Sequence, residues 1–524
     1  MKNNKIYRLV ACFLILLSLA VIPFTITACD PNNDISRKVS TSFGGRSAYA
    51  FDNINGKTVT VETFFVHQNE AYVNNPNIGQ AVMLNDAIRY KEAHPEEEVY
   101  ASITSFHYSV VAGVCLDENS ANYLKTKSLY DTNFDSDGYV RIAYLPIKAA
   151  MLGINVIVVG QIDASPVYIN STELKNDFSF ESYYNEYLNT PANIEGKLVE
   201  DYLTFKVAKW TSYGDKSATD MMHLKSCTVS NYRDYNGNDH GCAIWLGSVN
   251  LDGIDYNGCN GNNNTQSATI VTEHDELTRV LYNYTKLLAE YSEQESVLEF
   301  RDIVTTRNKQ QIDYILNNES HKIQKDEQIV YLGSNNDNVF ELYFTPLTGA
   351  INEWNTTYNP YSKYFSKLLP ENNGRNHITL SWAIAKFNED SAFSRSLVDV
   401  MYRAFNENQS VNNKLFLFLP NPEPEEQIDY SIFNNLAPNI NIGYKKIGVN
   451  YGVHTKDIQM SYVENGSRQY VSILNSLNFH QGSSAFQANS FLVIKENDTI
   501  GNNVYTDFGI FMSEGAITEN DRVK

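Results

Sequence analysis

The sequence predicts an α/β fold made twice, with two pseudo-twofold lobes that are each a mixed β-sheet flanked by helices. Three observations predict it. Apolar residues at helical spacing alternate along the chain with short strand-like runs. The order of these elements repeats in the two halves without strong identity between them, as a duplicated unit would show. Roughly 495 residues remain once the N-terminal leader is set aside, more than one domain usually holds.

The leader comes first. Lys2, Lys5 and Arg8 form a basic head, Leu9 to Ile26 is almost wholly apolar, and small Ala28 precedes Cys29. Residues 1–28 therefore read as an export signal and are excluded from the fold. The run Ile-Thr-Ala-Cys resembles the bacterial lipobox. That resemblance implies cleavage before Cys29 and acylation of its thiol by palmitate-type chains. The mature protein would then be a lipoprotein of the bacterial cell envelope, anchored on the outer side of the cytoplasmic membrane or in another layer without spanning it. Residues 29–57, polar and carrying the pair Gly44-Gly45, read as a flexible tether.

The first lobe is assigned to residues 58–290. "AVMLNDAIRYKEA" has helical spacing that turns Val82, Ala87, Ile88 and Tyr90 toward a core, and "VYASITSFHYSV" alternates as a strand does. "YLPIKAAMLGINVIVVGQID" reads as a helix stopped at Gly153 and a buried strand from Asn155 to Val159; "CAIWLGSVN" is another strand. A helical stretch from His274 to Val304 leads into a connector at 291–325. In the second lobe, 326–520, "HITLSWAIAKF" is the strand, "SRSLVDVMYRAFNEN" the helix, "KLFLFLP" the buried strand and "YVSILNSLN" a further strand.

Matching places in the two halves carry matching polar residues. "MMHLKSCTVSN" sets His223 two residues before Lys225, and "YGVHTKDIQMS" sets His454 two before Lys456. With 10 histidines and 41 basic residues, chance alone would supply His-x-Lys somewhat less than about once. A second layer strengthens the pairing: "GSVN" brings Ser248 and Asn250 after the first pair, and "NSLN" brings Ser476 and Asn478 after the second.

At these residues the chain resembles the phospholipase D superfamily, whose signature is His-x-Lys, four further residues, Asp, and then Gly-Ser-x-Asn. The first copy is His223, Lys225, Gly247, Ser248 and Asn250; the second is His454, Lys456, Ser476 and Asn478, with Asn475 in place of the glycine. The signature's Asp is Ser230 in one copy and Ser461 in the other, and Asp457 does not occupy that position. "NTQ" at Asn264 to Gln266 looks like the polar end of the first motif, and "ELYFTPL" entering the second half also resembles the family. The likeness covers most of 58–520 and implies a two-lobed fold with one active site at the seam.

These residue types suit phosphodiester chemistry. A phosphodiester repels an incoming nucleophile, and its alkoxide is a poor leaving group. Two lysine ammonium groups and two asparagine amides can hold the phosphoryl oxygens, with Ser248 and Ser476 in support. An imidazole attacks when neutral and donates a proton when charged. The resemblance makes His223 the nucleophile that becomes a phosphohistidine and His454 the acid and base, though the reverse order satisfies the same chemistry. No cofactor or metal is called for. "NFDSDG" from Asn133 begins like a calcium loop but has Tyr144 where a bidentate Glu is needed.

Charge bears on the substrate. Removing Lys2, Lys5 and Arg8 leaves 38 basic against 61 acidic residues, a formal charge of −23 in place of −20. Such a field disfavours nucleic acid as a partner while leaving room for a locally basic cleft. The reading is a membrane-anchored phosphodiesterase acting on phospholipid or another phosphodiester, by hydrolysis or phosphatidyl transfer. Its rivals are a nuclease of the same type and an inactive surface-binding lipoprotein with the same fold. Cys227 and Cys242 flank a turn-like segment, where a cross-strand bridge and two buried thiols are the alternatives.

Overall fold

The computed structural model describes residues 36–66, 76–110, 112–115, 139–163, 180–210, 221–251, 265–294, 297–317, 324–347, 357–369, 376–381, 414–418, 454–479, 487–497 and 502–514. The leader, Cys29, the calcium-like loop at 133–138 and the helix expected at "SRSLVDVMYRAFNEN" lie outside them.

Among the described residues, fifteen strands build the two main sheets. Those of the first are β1 (Ser36–Val39), β2 (Ser47–Ile54), β3 (Lys57–Val66), β4 (Tyr100–Tyr108), β5 (Asn155–Asp163), β6 (Leu203–Val207), β7 (Ser226–Val229), β8 (Ala243–Gly247) and β9 (Gln266–Thr272). The second holds β10 (Phe340–Phe344), β11 (His377–Ser381), β12 (Lys414–Phe418), β13 (Asp457–Glu464), β14 (Ser467–Asn475) and β15 (Ser490–Asn497). Spatial order in the first sheet is β1-β2-β3-β9-β8-β7-β4-β5-β6, and in the second β10-β15-β14-β13-β11-β12.

The duplication is visible strand by strand. β3-β9-β8-β7-β4-β5 corresponds in order and direction of pairing to β10-β15-β14-β13-β11-β12. Each run is antiparallel until its last pair, β4 with β5 and β11 with β12, which is parallel. Register agrees as well: Thr104 lies opposite Ser226, and Ser381 opposite Asp457. The expected α/β fold with two duplicated lobes is the one present.

Helices cover the sheets. α1 (Asn77–Ala93) and α2 (Tyr144–Met151) pack on the first sheet, and the expected core residues Val82, Ala87, Ile88 and Tyr90 are buried. α2 ends where Gly153 takes φ +85°, a conformation that favours glycine, and β5 follows. α3 (Phe180–Leu188) flanks the parallel edge. The long helical stretch is two helices, α4 (Asp275–Tyr291) and α5 (Leu298–Asn317). α4 buries Leu277, Val280, Leu281, Tyr284 and Leu288, an i, i+3, i+4, i+7 stripe, in a core shared by both lobes. There the Tyr284 ring stacks on Phe344 of β10 at 4.0 Å, and its hydroxyl donates to the Thr345 carbonyl at 2.6 Å. α6 (Pro360–Phe365) and α7 (Asn503–Glu514) are the helices of the second lobe among the described residues.

The start of α4 rests on a buried polar cluster. His274 caps the helix by accepting from the Leu277 amide through Nδ1, so its proton sits on Nε2 and is donated to Asp337 at 2.9 Å. Tyr331 donates to the same carboxylate, which lies 1% exposed and is held below its usual pKa by the hydrogen bonds from His274 and Tyr331 in spite of burial. Asp337→Ala strands both donors, and urea unfolding is expected to show a loss of about 3 kcal/mol or more.

The tether reading is corrected in part. Residues 36–39 and 47–54 form β1 and β2 of the first sheet. The paired glycines serve packing instead: Gly44 has φ +87°, and a Cβ on Gly45 would meet Glu62 Cγ at 2.6 Å. Glu62 gathers the amides of Ser42, Phe43 and Gly45. Ser36 also donates to Glu496 of β15 at 2.9 Å, tying the first strand to the second lobe. Cys227 lies opposite Trp245 rather than Cys242, and both thiols are free and buried.

Candidate active site

The two His-x-Lys segments arrive at the seam just ahead of equivalent strands. His223 and Lys225 precede β7; His454 and Lys456 precede β13. In extended chain, residues two apart share a face, so each lysine folds back to its own histidine. Lys225 Nζ donates to the His223 carbonyl at 2.7 Å, and Lys456 Nζ to the His454 carbonyl at 2.7 Å. Each bond uses one of an ammonium's three donors. Both lysines are fully buried.

Backbone hydrogen bonds stitch each segment to the opposite lobe. The His454 amide donates to the Thr265 carbonyl at 3.0 Å, immediately before β9, and the Ala488 amide to the Met221 carbonyl at 2.8 Å, shortly before β15. The histidine side chains cross as well. His223 Nδ1 lies 2.8 Å from the Ser476 carbonyl and 3.0 Å from Asn489 Oδ1, both in the second lobe. His454 Nδ1 lies 2.8 Å from Gln266 Oε1, and a hydrogen bond to the Ser248 backbone completes the mirror arrangement. A carbonyl oxygen only accepts, so Nδ1 carries the proton in both rings, leaving Nε2 as the basic, nucleophilic nitrogen.

The motif serines have a different task from the histidines. Ser248 Oγ donates to Gln266 Oε1 at 2.7 Å, and Ser476 Oγ to Asn489 Oδ1 at 3.1 Å. Each serine thus fixes the amide that orients the other lobe's histidine. Gly247 is required where it stands, since a Cβ would come within 2.8 Å of Ala268 and Trp245. The signature's missing aspartates are replaced by working hydroxyls: Ser230 Oγ accepts from the Tyr100 amide at 3.0 Å, and Ser461 Oγ from Arg468 at 3.2 Å.

Both site asparagines are buried. Asn250 is anchored through its carbonyl, which accepts from Asn77 at 3.0 Å. Asn478 Oδ1 and Gln266 Nε2 are buried with no hydrogen-bond partner among the described residues.

The electrostatics treat the site as one unit. Burial pushes the His223 imidazole well below its usual pKa, and the charges of Lys225, Lys456 and His454 push it further. His454 is lowered in the same way by burial and then by Lys456, Lys225 and His107. Both rings are therefore neutral near pH 7 in the free protein. Lys456 is itself pushed down to about 7 by burial, with Asp457 opposing. Asp457 is buried and accepts from Ser267 of β9 at 2.6 Å. The first lobe has Ser226 at that place, so the duplicated site is not symmetric in charge. Among the described residues no three His, Cys, Asp or Glu side chains are grouped to hold a metal ion.

The structure brings together His223, Lys225, Ser248, His454, Lys456 and Ser476, with Asn250 and Asn478 buried in the loops after β8 and β14. Sequence reasoning named Gln266 without a role, missed Asn489 and set Asp457 aside. A signal for the first two exists: Gln266-Ser267 and Asn489-Ser490 are both an amide followed by serine at the start of the strand after the motif serine.

No family model matches the chain, and no curated protein matches it at a significant level. Solved structures of similar fold exist. A phosphatidylserine synthase from Haemophilus influenzae is 9% identical with a TM-score of 0.44, the match covering 87% of each chain. A yeast tyrosyl-DNA phosphodiesterase is 10% identical with a TM-score of 0.36, covering 88% of this chain and 92% of that one. A polyphosphate kinase from Porphyromonas gingivalis is 11% identical with a TM-score of 0.39, and the match covers 86% of this chain but only 50% of the kinase. At such identities the likeness is one of fold.

Proposed function

We propose that this chain is an exported, lipid-anchored phosphodiesterase of the phospholipase D type, hydrolysing or transferring phosphatidyl groups through a phosphohistidine. The observation that carries the reading is the reciprocal clamp: each lobe's histidine is oriented by an amide and a carbonyl of the other lobe. One neutral imidazole to attack, and a second that takes up a proton once the diester is bound, with two lysine amines beside them, are what displacement at one phosphorus requires.

The steps balance. His223 Nε2 attacks phosphorus with its lone pair, and the bond to the leaving oxygen breaks. That oxygen takes its proton from His454. Water or an alcohol then gives a proton to His454 and attacks phosphorus from the vacated side, breaking the P–N bond and freeing His223. His454 needs a proton for the first step, and the bound diester supplies the reason: its negative charge offsets the lysines that keep the ring neutral. Below about pH 7, where Lys456 is an ammonium, Lys225 and Lys456 against Asp457 leave one net positive charge, matching the single charge of a diester.

The direction of the pKa shifts fixes a pH profile. A lysine pushed down to about 7 is an ammonium below that value and neutral above it, and His454 also loses its proton as pH rises. The optimum of kcat/KM is expected on the acid side of neutrality, with a fall of at least about tenfold per pH unit above about 7. A rate that climbs steadily to pH 9 would contradict this. The function itself is tested with the full chain in detergent on a phospholipid panel and single-stranded DNA, with and without EDTA. Head-group release insensitive to EDTA is expected; cleavage of DNA alone would make the chain a nuclease.

The anchor is part of the proposal and rests on Ile-Thr-Ala-Cys29. In a bacterial host, Cys29→Ser is expected to leave the protein uncleaved and unacylated, which the mass of its N-terminal peptide reports.

A further inference from the structure

His223, Lys225, Ser248 and Asn250 are matched by His454, Lys456, Ser476 and Asn478, but the buried position that follows each lysine is not matched in charge. Ser226 and Asp457 hold equivalent places, opposite Thr104 and Ser381. In the first lobe Ser226 shares a hydrogen bond with Thr104 of the same sheet at 2.8 Å. In the second, Asp457 accepts from Ser267 across the seam at 2.6 Å, a length usual for a hydroxyl on a carboxylate. Ser267 follows Gln266, the amide that orients His454.

Folding does not call for that carboxylate. The first sheet fills the equivalent place with an uncharged hydroxyl, whereas Asp457 is only 2% exposed and burying an acid costs free energy. What the acid changes is charge. It opposes the loss of the Lys456 proton, so the Lys456–Asp457 pair is neutral below about pH 7 and negative above it. Ser226 brings no such charge beside Lys225. The other groups that bear on the two rings are Lys225 and Lys456, with His107 acting on His454 against its protonation. His107 is part-exposed and screened by solvent; Asp457 is buried, where a charge acts more strongly.

We infer that Asp457 is the positioning residue that gives two matched histidines different roles. Its carboxylate, held on the His454 half by Ser267, draws to His454 Nε2 the one proton that enters with the diester. The lone pair of His223 Nε2 is left to attack phosphorus. This deepens the phosphodiesterase reading and rests on it.

Bis(4-nitrophenyl) phosphate reports the choice, because its 4-nitrophenolate leaves without a proton and whichever histidine is neutral forms the P–N bond. The full chain in detergent is reacted with it at pH 6, quenched in alkali and analysed by peptide mass. Wild type is expected to carry the adduct on His223. Asp457→Ser makes the two halves alike in charge at this place. It should carry the adduct on both histidines, a fall of about tenfold or more in the ratio of His223 to His454 adduct. Ser226→Asp combined with Asp457→Ser moves the carboxylate to the first half, where Ser490 bonds Ser476 as Ser267 bonds Ser248. Most of the adduct should then move to His454. Asp457→Asn keeps the shape and an oxygen for Ser267 and should behave as Asp457→Ser does, so the test does not depend on the serine variant folding. An adduct on His454 in wild type, or one that stays on His223 in the variants whatever its amount, overturns this inference alone, since a merely structural carboxylate would not move the ratio. Wild type that forms no adduct on either histidine overturns the phosphodiesterase reading and this inference with it.

Discussion

His223→Ala and His454→Ala, made separately, are each expected to lower kcat on a phospholipid substrate by about a thousandfold or more, since each removes one half of a proton-and-nucleophile pair. Leaving-group dependence tells the two apart. A 4-nitrophenolate leaves without a proton, so with bis(4-nitrophenyl) phosphate the His454→Ala deficit in the first step should shrink to about a hundredfold or less, while His223→Ala stays inactive. His454→Ala should then accumulate the phosphohistidine, because the water that resolves it has lost its base. If His223→Ala instead regains activity with the activated diester, the roles are reversed.

The second large effect is expected from residues that touch no substrate. Gln266→Met and Asn489→Leu keep side-chain size close to native but remove the oxygens that hold His454 and His223 from the opposite lobe. Each ring then loses a fixed orientation and part of the preference for the proton on Nδ1. A fall of about a hundredfold in kcat with little change in KM is expected, the pattern of a positioning residue. Restoring an oxygen acceptor distinguishes this from simple damage: Gln266→Glu should recover a working acceptor. It should also raise the pKa of His454, moving the alkaline limb of the pH profile upward. A Gln266→Met protein with native kcat would show that the cross-lobe bond is only structural.

Much of the fold was legible in local pattern. β4 alternates, the α2–Gly153–β5 unit follows from spacing and a glycine stop, and the repeated order of elements gave the duplication that the strand topology displays. The N-terminal strands were hidden by their polarity. Ser36, Ser47 and Glu62 are buried, but each is satisfied by hydrogen bonds, and composition alone cannot distinguish a satisfied polar residue from a solvated one. The helical stretch from His274 read as continuous because nothing in "EYSEQES" is a strong helix breaker, yet the chain turns there between α4 and α5.

At the site, the histidines and lysines were visible because their spacing is local and occurs twice. The partners that orient the histidines were not, since Gln266 and Asn489 act across the seam on residues 188 and 266 positions away in sequence. Spacing carries no trace of such a contact. Asp457 was set aside for standing off the signature's Asp position; its role comes from burial beside Lys456 and the bond from Ser267, both products of tertiary packing.

The most direct measurement is acid-free quenching of the wild-type protein during turnover of a phosphodiester, followed by peptide mass analysis. The account predicts a phosphoryl-linked adduct on His223 alone, present in His454→Ala and absent in His223→Ala. Turnover that proceeds with no adduct on either histidine, or with the adduct on Ser248 or Ser476, would contradict it.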